Sequence, residues 1–319
     1  MKLTREQRIL RALFRGDVLR IRNARYRRTV RALTDLLLEA DLAPTDQTAR
    51  ALGSPKRTVR AAVISQQGGI AAGLDEFRFL LARRRLQVFP EKRDGDAMAP
   101  GDVLAFVEGQ EVRLLGLERV GLNLLQRMSG VATTARCLQE RAQSRGGHAR
   151  VVGTRKTPWG LLDKRALHLG GAGTHRLGLG DAILIKNNHL ALLAPTELEA
   201  VPLAIERVWK ARREAAFIEV EVRELAAARA AAQTFRRLLE GAAEEYPCLL
   251  LLDNMTSDQI GTIVDRLQQE GLWNDVLIEA SGGISETNIE RYAASGVDAI
   301  SLGALTHSAR ALDICLRIS

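Results

Sequence analysis

Three patterns of apolar and polar positions succeed one another along this 319-residue chain. In the leading segment, up to Ala40, Ile9, Leu10, Leu13 and Phe14 recur at helical intervals and arginine fills the gaps. That spacing predicts one or two amphipathic helices. From Ser54 to Gly116 branched residues cluster or alternate in short runs (RTVRAAVISQQGGIAAG, RRRLQVF, DVLAFVEG), punctuated by Gly68-Gly69, Asp94-Gly95, Pro100-Gly101 and Gly109. Runs of this kind between turn residues predict an α+β module, one helical layer against a small sheet. From Leu117 to Ser144 the spacing is helical again, with Leu122, Leu125, Val131 and Leu138 in phase and Gly130 as a kink or close-packing point. A domain boundary near Leu117 is expected.

The remainder alternates apolar strands with amphipathic helices. Strands are expected at 151–152, 183–185, 217–222, 248–252, 276–279 and 298–302, and helices at 195–214, 224–239, 257–270 and 286–295, the last capped by Ser285 and stopped by Gly296. Repeated βα units with no glycine-rich dinucleotide fingerprint predict an α/β class domain and favour a (β/α) barrel over a doubly wound sheet.

On that scaffold the polar residues fall at strand ends. Arg155 and Lys156 follow the first strand, Lys186 the second, Asp253 the CLLLLD strand, Ser281-Gly282-Gly283 the VLIEA strand and Gly303 the last, with His175 and Arg176 among glycines between the first two. In a barrel all these points share the C-terminal rim, where barrel enzymes hold their substrates. Ser-Gly-Gly before a helix, with Gly303 in the adjacent loop, offers backbone N–H groups and a positive dipole end to a phosphate. Glu219 and Glu221 alternate within FIEVEV and so share one face. Carboxylates facing a barrel interior need a partner. With Asp253 they make a Mg²⁺ site, and pairing with a lysine is the plainer role for Glu219. Basic clusters and acidic metal ligands on one rim imply a phosphorylated substrate.

Composition narrows the partners. A net charge of +8 invites nucleic acid, but aromatic residues make up only 4% of the chain and no RNA-binding box, zinc finger or basic heptad accompanies the charge, so nucleic acid is not the expected partner. Cys137, Cys248 and Cys315 are few and far apart, which fits a reducing cytoplasm rather than a disulfide framework. No apolar run approaches the ~20 residues that cross a bilayer, and no membrane partner is expected. Glu6 and Asp17 interrupt the arginine-rich leader, which also lacks serine, so a core-packing or partner-packing helix is expected there rather than a targeting segment.

From about Leu37 onward the chain resembles the quinolinate phosphoribosyltransferases, the nicotinate-nucleotide pyrophosphorylases of NAD biosynthesis. The resemblance runs through LLEADLAPTDQT, DGDAMAPGDVLAFVEG, LERVGLNLLQRMSG, GTRKT, THR, LIKNNH, IEVEV, LLDNM, EASGGI, GVDAISLGALTHS and ALDICLRI, in that order. It implies an N-terminal α/β sandwich followed by an incomplete (β/α) barrel, in a homodimer whose neighbouring N-terminal domain covers the barrel mouth. The divisions expected are a basic helical extension over 1–30, the sandwich over 31–117, the catalytic barrel over 118–307 and a tail over 308–319 that packs back on the N-terminal domain.

The resemblance also implies roles. Arg155, His175, Arg176 and Lys186 would bind the quinolinate carboxylates and adjoining phosphates, Lys156 would sit beside the reacting atoms, and Arg119 would reach in from the partner subunit. Glu221 and Asp253 would hold Mg²⁺ and the ribose side, with Ser281, Gly282, Gly283 and Gly303 on the 5-phosphate. The implied substrates are quinolinate and phosphoribosyl pyrophosphate. Two departures stand out: Pro158-Trp159-Gly160 leads to Leu161-Leu162-Asp163-Lys164 where the family has Thr-Pro-Gly and an arginine, and Asn187 replaces the aspartate of LIKDNH. Such a loop leaves room for a different aromatic acid, and Lys164 and Arg165 are the residues that could compensate.

Overall fold

In the computed structural model, which describes residues 3–42, 45–52, 57–144, 147–242 and 245–318, the three patterns become three kinds of structure. The chain begins with helices α1 (Arg5–Leu13), α2 (Ala24–Leu42) and α3 (Gln47–Leu52). Then come β1 (Thr58–Ser65), β2 (Gly69–Ile70), α4 (Leu74–Ala82), β3 (Gln87–Pro90), β4 (Ala97–Met98), β5 (Val103–Gln110) and the long α5 (Glu111–Gln143). The alternating part follows as β6 (Arg150–Gly153), α6 (Leu161–Leu169), β7 (Ile183–Ile185), α7 (Asn187–Leu190), α8 (Glu197–Trp209), β8 (Ile218–Val222), α9 (Leu225–Glu240) and β9 (Cys248–Asp253). It closes with α10 (Ser257–Gln269), β10 (Leu277–Ser281), α11 (Ile289–Ala294), β11 (Ala299–Leu302), α12 (Ala304–His307) and β12 (Ile314–Ile318). Ser54, where the pattern change begins, and Ala43-Pro44 of the LLEADLAPTDQT motif lie outside the described residues.

The chain divides into two compact units. One comprises residues 16–136, 157–171 and 305–319. Its main sheet has the order β12-β1-β5-β3, antiparallel throughout. Along β1 Val59, Ala61, Val63 and Ser65 are buried while Thr58 and Arg60 face out, the alternation of a strand with one wet face. The last strand comes from the far end of the chain, with Val63 opposite Leu316. Helix α2 buries Tyr26, Val30, Thr34 and Leu38 at four-residue steps. Gly130 is a close-packing point: a Cβ there would lie 2.0 Å from the carbonyl oxygen of Arg310. Two buried carboxylates in this unit have local donors. Asp163 of α6 receives Arg127 through Nε at 3.0 Å and Nη2 at 2.8 Å, and the Tyr26 hydroxyl donates to Glu76 at 2.8 Å. Lys164 and Arg165 are buried here, Arg165 lying 3.8 Å from Asp94. Compensation at a substrate loop, suggested for these two from sequence, is replaced by internal pairing for Arg165.

The other unit comprises residues 1–15, 137–156 and 172–304, and holds a six-stranded parallel sheet of order β6-β11-β10-β9-β8-β7. Strands β6 and β7, consecutive in the chain, form its two edges, so the barrel is incomplete. Both α10 and the barrel strands fall where the apolar runs place them. Helix α11 does not: it begins at Ile289 with Asn288 at its cap, because Asn288 Oδ1 instead accepts from the Ser285 N–H at 2.8 Å and ties 285–288 into a turn.

The arginine-rich leader has a structural job in this unit. Thr4 and Gln7 cap α1 reciprocally, and Ile9, Ala12 and Leu13 pack on Val152, Ala182, Phe217, Leu249, Leu277 and Ala299. Apart from Val152, those barrel residues lie at or next to the N-terminal ends of their strands, so α1 closes the floor. Burying a leucine such as Leu13, which has no exposed surface, contributes roughly 2–3 kcal/mol. Arg5 fixes the helix by a forked contact to the fully buried Asp298, Nε to Oδ1 at 2.6 Å and Nη2 to Oδ2 at 2.5 Å, with its guanidinium 3.6 Å above the Trp273 ring.

Candidate active site

Side chains two residues apart on a strand share a face, so each strand that contributes to the floor contributes to higher layers as well. From Phe217 this leads to Glu219 and Glu221, from Leu249 to Leu251 and Asp253, from Leu277 to Glu279 and Ser281, and from Ala299 to Ser301 and Gly303. The interior therefore passes from apolar through a buried charged layer to a polar rim at the C-terminal strand ends.

The rim gathers the residues singled out by sequence. Arg155 and Lys156 are exposed directly after β6, and Lys186 is exposed directly after β7. Arg176 is largely buried; its guanidinium is pushed down by burial and by the neighbouring Arg155 charge, with Glu219 opposing. A guanidinium disfavoured by a neighbouring cation is relieved when an anion binds beside it. Glu221 is raised by burial and then by the Asp253 carboxylate, while Lys186 holds it down. Asp253 and Ser281 are paired in register across β9 and β10, and Asn254, at φ 56°, donates its amide N–H to the Ser281 carbonyl at 2.9 Å and its side chain to Asp253 at 2.7 Å.

The turn after β10 has two left-handed glycines, Gly282 at φ 86° and Gly283 at φ 63°. A Cβ on Gly282 would lie 2.2 Å from Asn254 Oδ1 and 2.9 Å from its backbone nitrogen, whereas one on Gly283 would meet nothing. Gly283 thus presents open backbone. Since α11 starts only at Ile289, no helix dipole end stands at Ser-Gly-Gly, and the loop's own N–H groups are what a phosphate would meet.

Below the rim, His175 has both ring nitrogens engaged. Nδ1 accepts from the Arg176 backbone N–H at 2.8 Å, and Nε2 lies 2.9 Å from Glu219 Oε2 and 3.3 Å from Glu279 Oε2. Burial lowers the imidazole, but the Glu279 and Glu219 carboxylates outweigh it and raise it to about 10. Those carboxylates favour an imidazolium, whereas the Arg176 amide needs the Nδ1 lone pair. The amide contact is the short, directed one, so the ring carries its proton on Nε2. Glu219 is itself raised to about 7 by burial and by the Glu279 charge, with the His175 ring opposing.

Among the described residues these three are the one group of His, Cys, Asp or Glu side chains whose ligand atoms all lie within 4.8 Å of one another. The partner of Glu219 in the structure is His175, where a lysine was expected. Glu279 was not singled out by sequence reasoning; the available signal was a lone carboxylate in an apolar strand, on the same face as Ser281. His189 accepts from the Lys186 N–H at 2.9 Å, a local structural bond. Arg119, exposed on α5, belongs to the other unit and is not among the residues that the parallel sheet gathers.

Comparison with known proteins shows the family of the chain. Residues 46–129 match the N-terminal domain and residues 131–317 the C-terminal domain described for quinolinate phosphoribosyl transferase. Among curated proteins, the nicotinate-nucleotide pyrophosphorylase (carboxylating) of Mycobacterium leprae is 36% identical, covering 85% of this chain and 90% of its own. The human protein of the same name is 33% identical, covering 91% of this chain and 92% of its own. Among solved structures, NadC from Streptococcus pyogenes superposes with a TM-score of 0.77 at 29% identity, covering 91% of this chain and 96% of that one.

Proposed function

The chain belongs to the quinolinate phosphoribosyltransferase family, and from that membership we infer that it transfers the phosphoribosyl group of phosphoribosyl pyrophosphate to quinolinate with decarboxylation, yielding nicotinate mononucleotide, pyrophosphate and CO₂ for NAD biosynthesis. The observation that carries the reading is the crowd of cations at the C-terminal ends of one parallel sheet, above acidic groups. Two polyanionic substrates must be gathered together. One unit charge pair at ~4 Å gains ~4 kcal/mol at an effective dielectric of ~20 before desolvation is subtracted, so several cations are required.

In the reaction the pyridine nitrogen attacks the anomeric carbon, and the C–O bond to pyrophosphate breaks with its electron pair on the departing group. The quaternised ring then takes up the electron pair of the adjacent C–CO₂ bond as CO₂ leaves, and a proton replaces it. Arg155, Arg176 and Lys186 bind the diacid and adjoining phosphates, and Lys156 favours the negative charge that builds on the leaving group. Glu221 favours the cationic ribose. Ser281, Gly282, Gly283 and Gly303 receive the 5-phosphate. Glu221 and Asp253 would hold Mg²⁺, whose charge stabilises departing pyrophosphate; the repulsion from Asp253 that helps raise Glu221 fits a cation at that spot. Incubating purified protein with both substrates and Mg²⁺ should consume quinolinate absorbance and yield nicotinate mononucleotide on chromatography; an unchanged quinolinate signal would refute the assignment.

The protein acts as a cytoplasmic homodimer in which Arg119 completes the neighbour's site. Support comes from three free cysteines and from an Arg119 side chain that is exposed. Arg119→Ala and Lys156→Ala proteins, each inactive alone, should recover activity when refolded together, and demonstrably mixed dimers without recovery would sink the shared site.

A further inference from the structure

Beneath the rim, Glu219 and Glu279 are 0% and 1% exposed, and none of their four carboxylate oxygens has a hydrogen-bonding partner besides the imidazole contact. Buried carboxylates in that condition cost several kcal/mol unless they serve a cation. The residue they face, His175, is held at φ 51°, a left-handed backbone that is strained for a non-glycine residue. The bend is fixed from outside: the His175 N–H donates to the Leu13 carbonyl at 2.9 Å, and the Arg15 N–H donates to Thr174 Oγ1 at 3.0 Å. It lets Nδ1 turn back onto the next amide while Nε2 reaches the two glutamates. The next residue is Arg176, whose guanidinium feels Glu219 as its favourable charge against Arg155.

We propose that Glu279 and Glu219 are positioning residues for the diacid pocket: gripping His175 at Nε2, they fix the backbone of Arg176 through Nδ1. The inference rests on the proposed activity, and wild-type turnover of quinolinate tests that activity by itself.

Given turnover, Glu279→Gln keeps the shape and removes the charge. It should raise KM for quinolinate roughly 10–100-fold, the worth of one charge-assisted hydrogen bond. KM for phosphoribosyl pyrophosphate should stay within about twofold, a split that general loosening of the fold would not give. Equal changes in both KM values, or none, would overturn the proposal. Wild-type protein supplies a second measurement should the variant not fold. Histidine ¹⁵N spectra should show one imidazole whose Nδ1 remains an acceptor while Nε2 carries a proton, as the contacts to the Arg176 amide and to the glutamates require; a ring protonated at Nδ1 would overturn it equally.

Discussion

The floor and the rim of the barrel are built from the same four strands and the same inward faces, yet they share almost no chemistry. At the floor Phe217, Leu249, Leu277 and Ala299 meet α1 in an apolar layer. Four residues further along each strand stand Glu221, Asp253, Ser281 and Gly303. Each two-residue step moves a side chain up one layer, so strand position alone determines whether a residue is enclosed by helix α1 or opens toward solvent. Stability is concentrated below and the proposed chemistry above, with the His175–Glu219–Glu279 layer between them. Substitutions in the two regions should therefore move different observables.

The largest stability effect is expected at the floor. Asp298 is fully buried, receives Arg5 in a forked contact and accepts from the Ile278 N–H at 2.7 Å. Asp298→Ala strands both donors and should cost roughly 3–5 kcal/mol in denaturant unfolding. Activity per folded molecule should hold near wild type at low temperature. Equal loss of turnover in fully folded protein would show that the floor is not separate from the rim.

Lys156→Ala is the opposite case. The side chain is exposed at a strand end, so unfolding free energy should change by less than about 0.5 kcal/mol. Turnover should fall on the order of 10²–10³-fold, the loss seen when one stabilising group is removed from a developing negative charge. A variant that unfolds early but turns over normally would reverse the division of labour.

Much of the two regions was legible in the sequence, for different reasons. Parallel strands buried on both faces read as apolar runs, so each barrel strand lay within a residue or two of its expected place. Rim cations were legible because charges at the ends of such runs have few structural uses. The role of α1 was half legible: Ile9, Leu10, Leu13 and Phe14 gave the helix, but only the folded chain shows Ile9 and Leu13 buried in the floor while Leu10 is exposed. Glu279 was hidden because its partners, His175 and Glu219, are remote in sequence and meet only when the sheet curls. The start of α11 was misplaced because Ser285 has the chemistry of a cap, while the competing turn through Asn288 depends on backbone geometry that propensity does not express.

The smallest effect should come from the rim loop, where Gly283→Ala separates backbone strain from side-chain contact. Both Gly282 and Gly283 are left-handed, but only at Gly282 would a Cβ collide, with Asn254. At Gly283 the cost is conformational alone, about 1–2 kcal/mol in unfolding free energy. If the open backbone at Gly283 is where the 5-phosphate rests, the added methyl should raise KM for phosphoribosyl pyrophosphate severalfold and leave KM for quinolinate unchanged. Gly282→Ala must also displace Asn254, and through it the contact to Asp253, so it should lose more stability and depress kcat as well. Should Gly283→Ala change stability as expected while both KM values stay fixed, the loop would be a structural turn and the phosphate would have to be sought at Gly303.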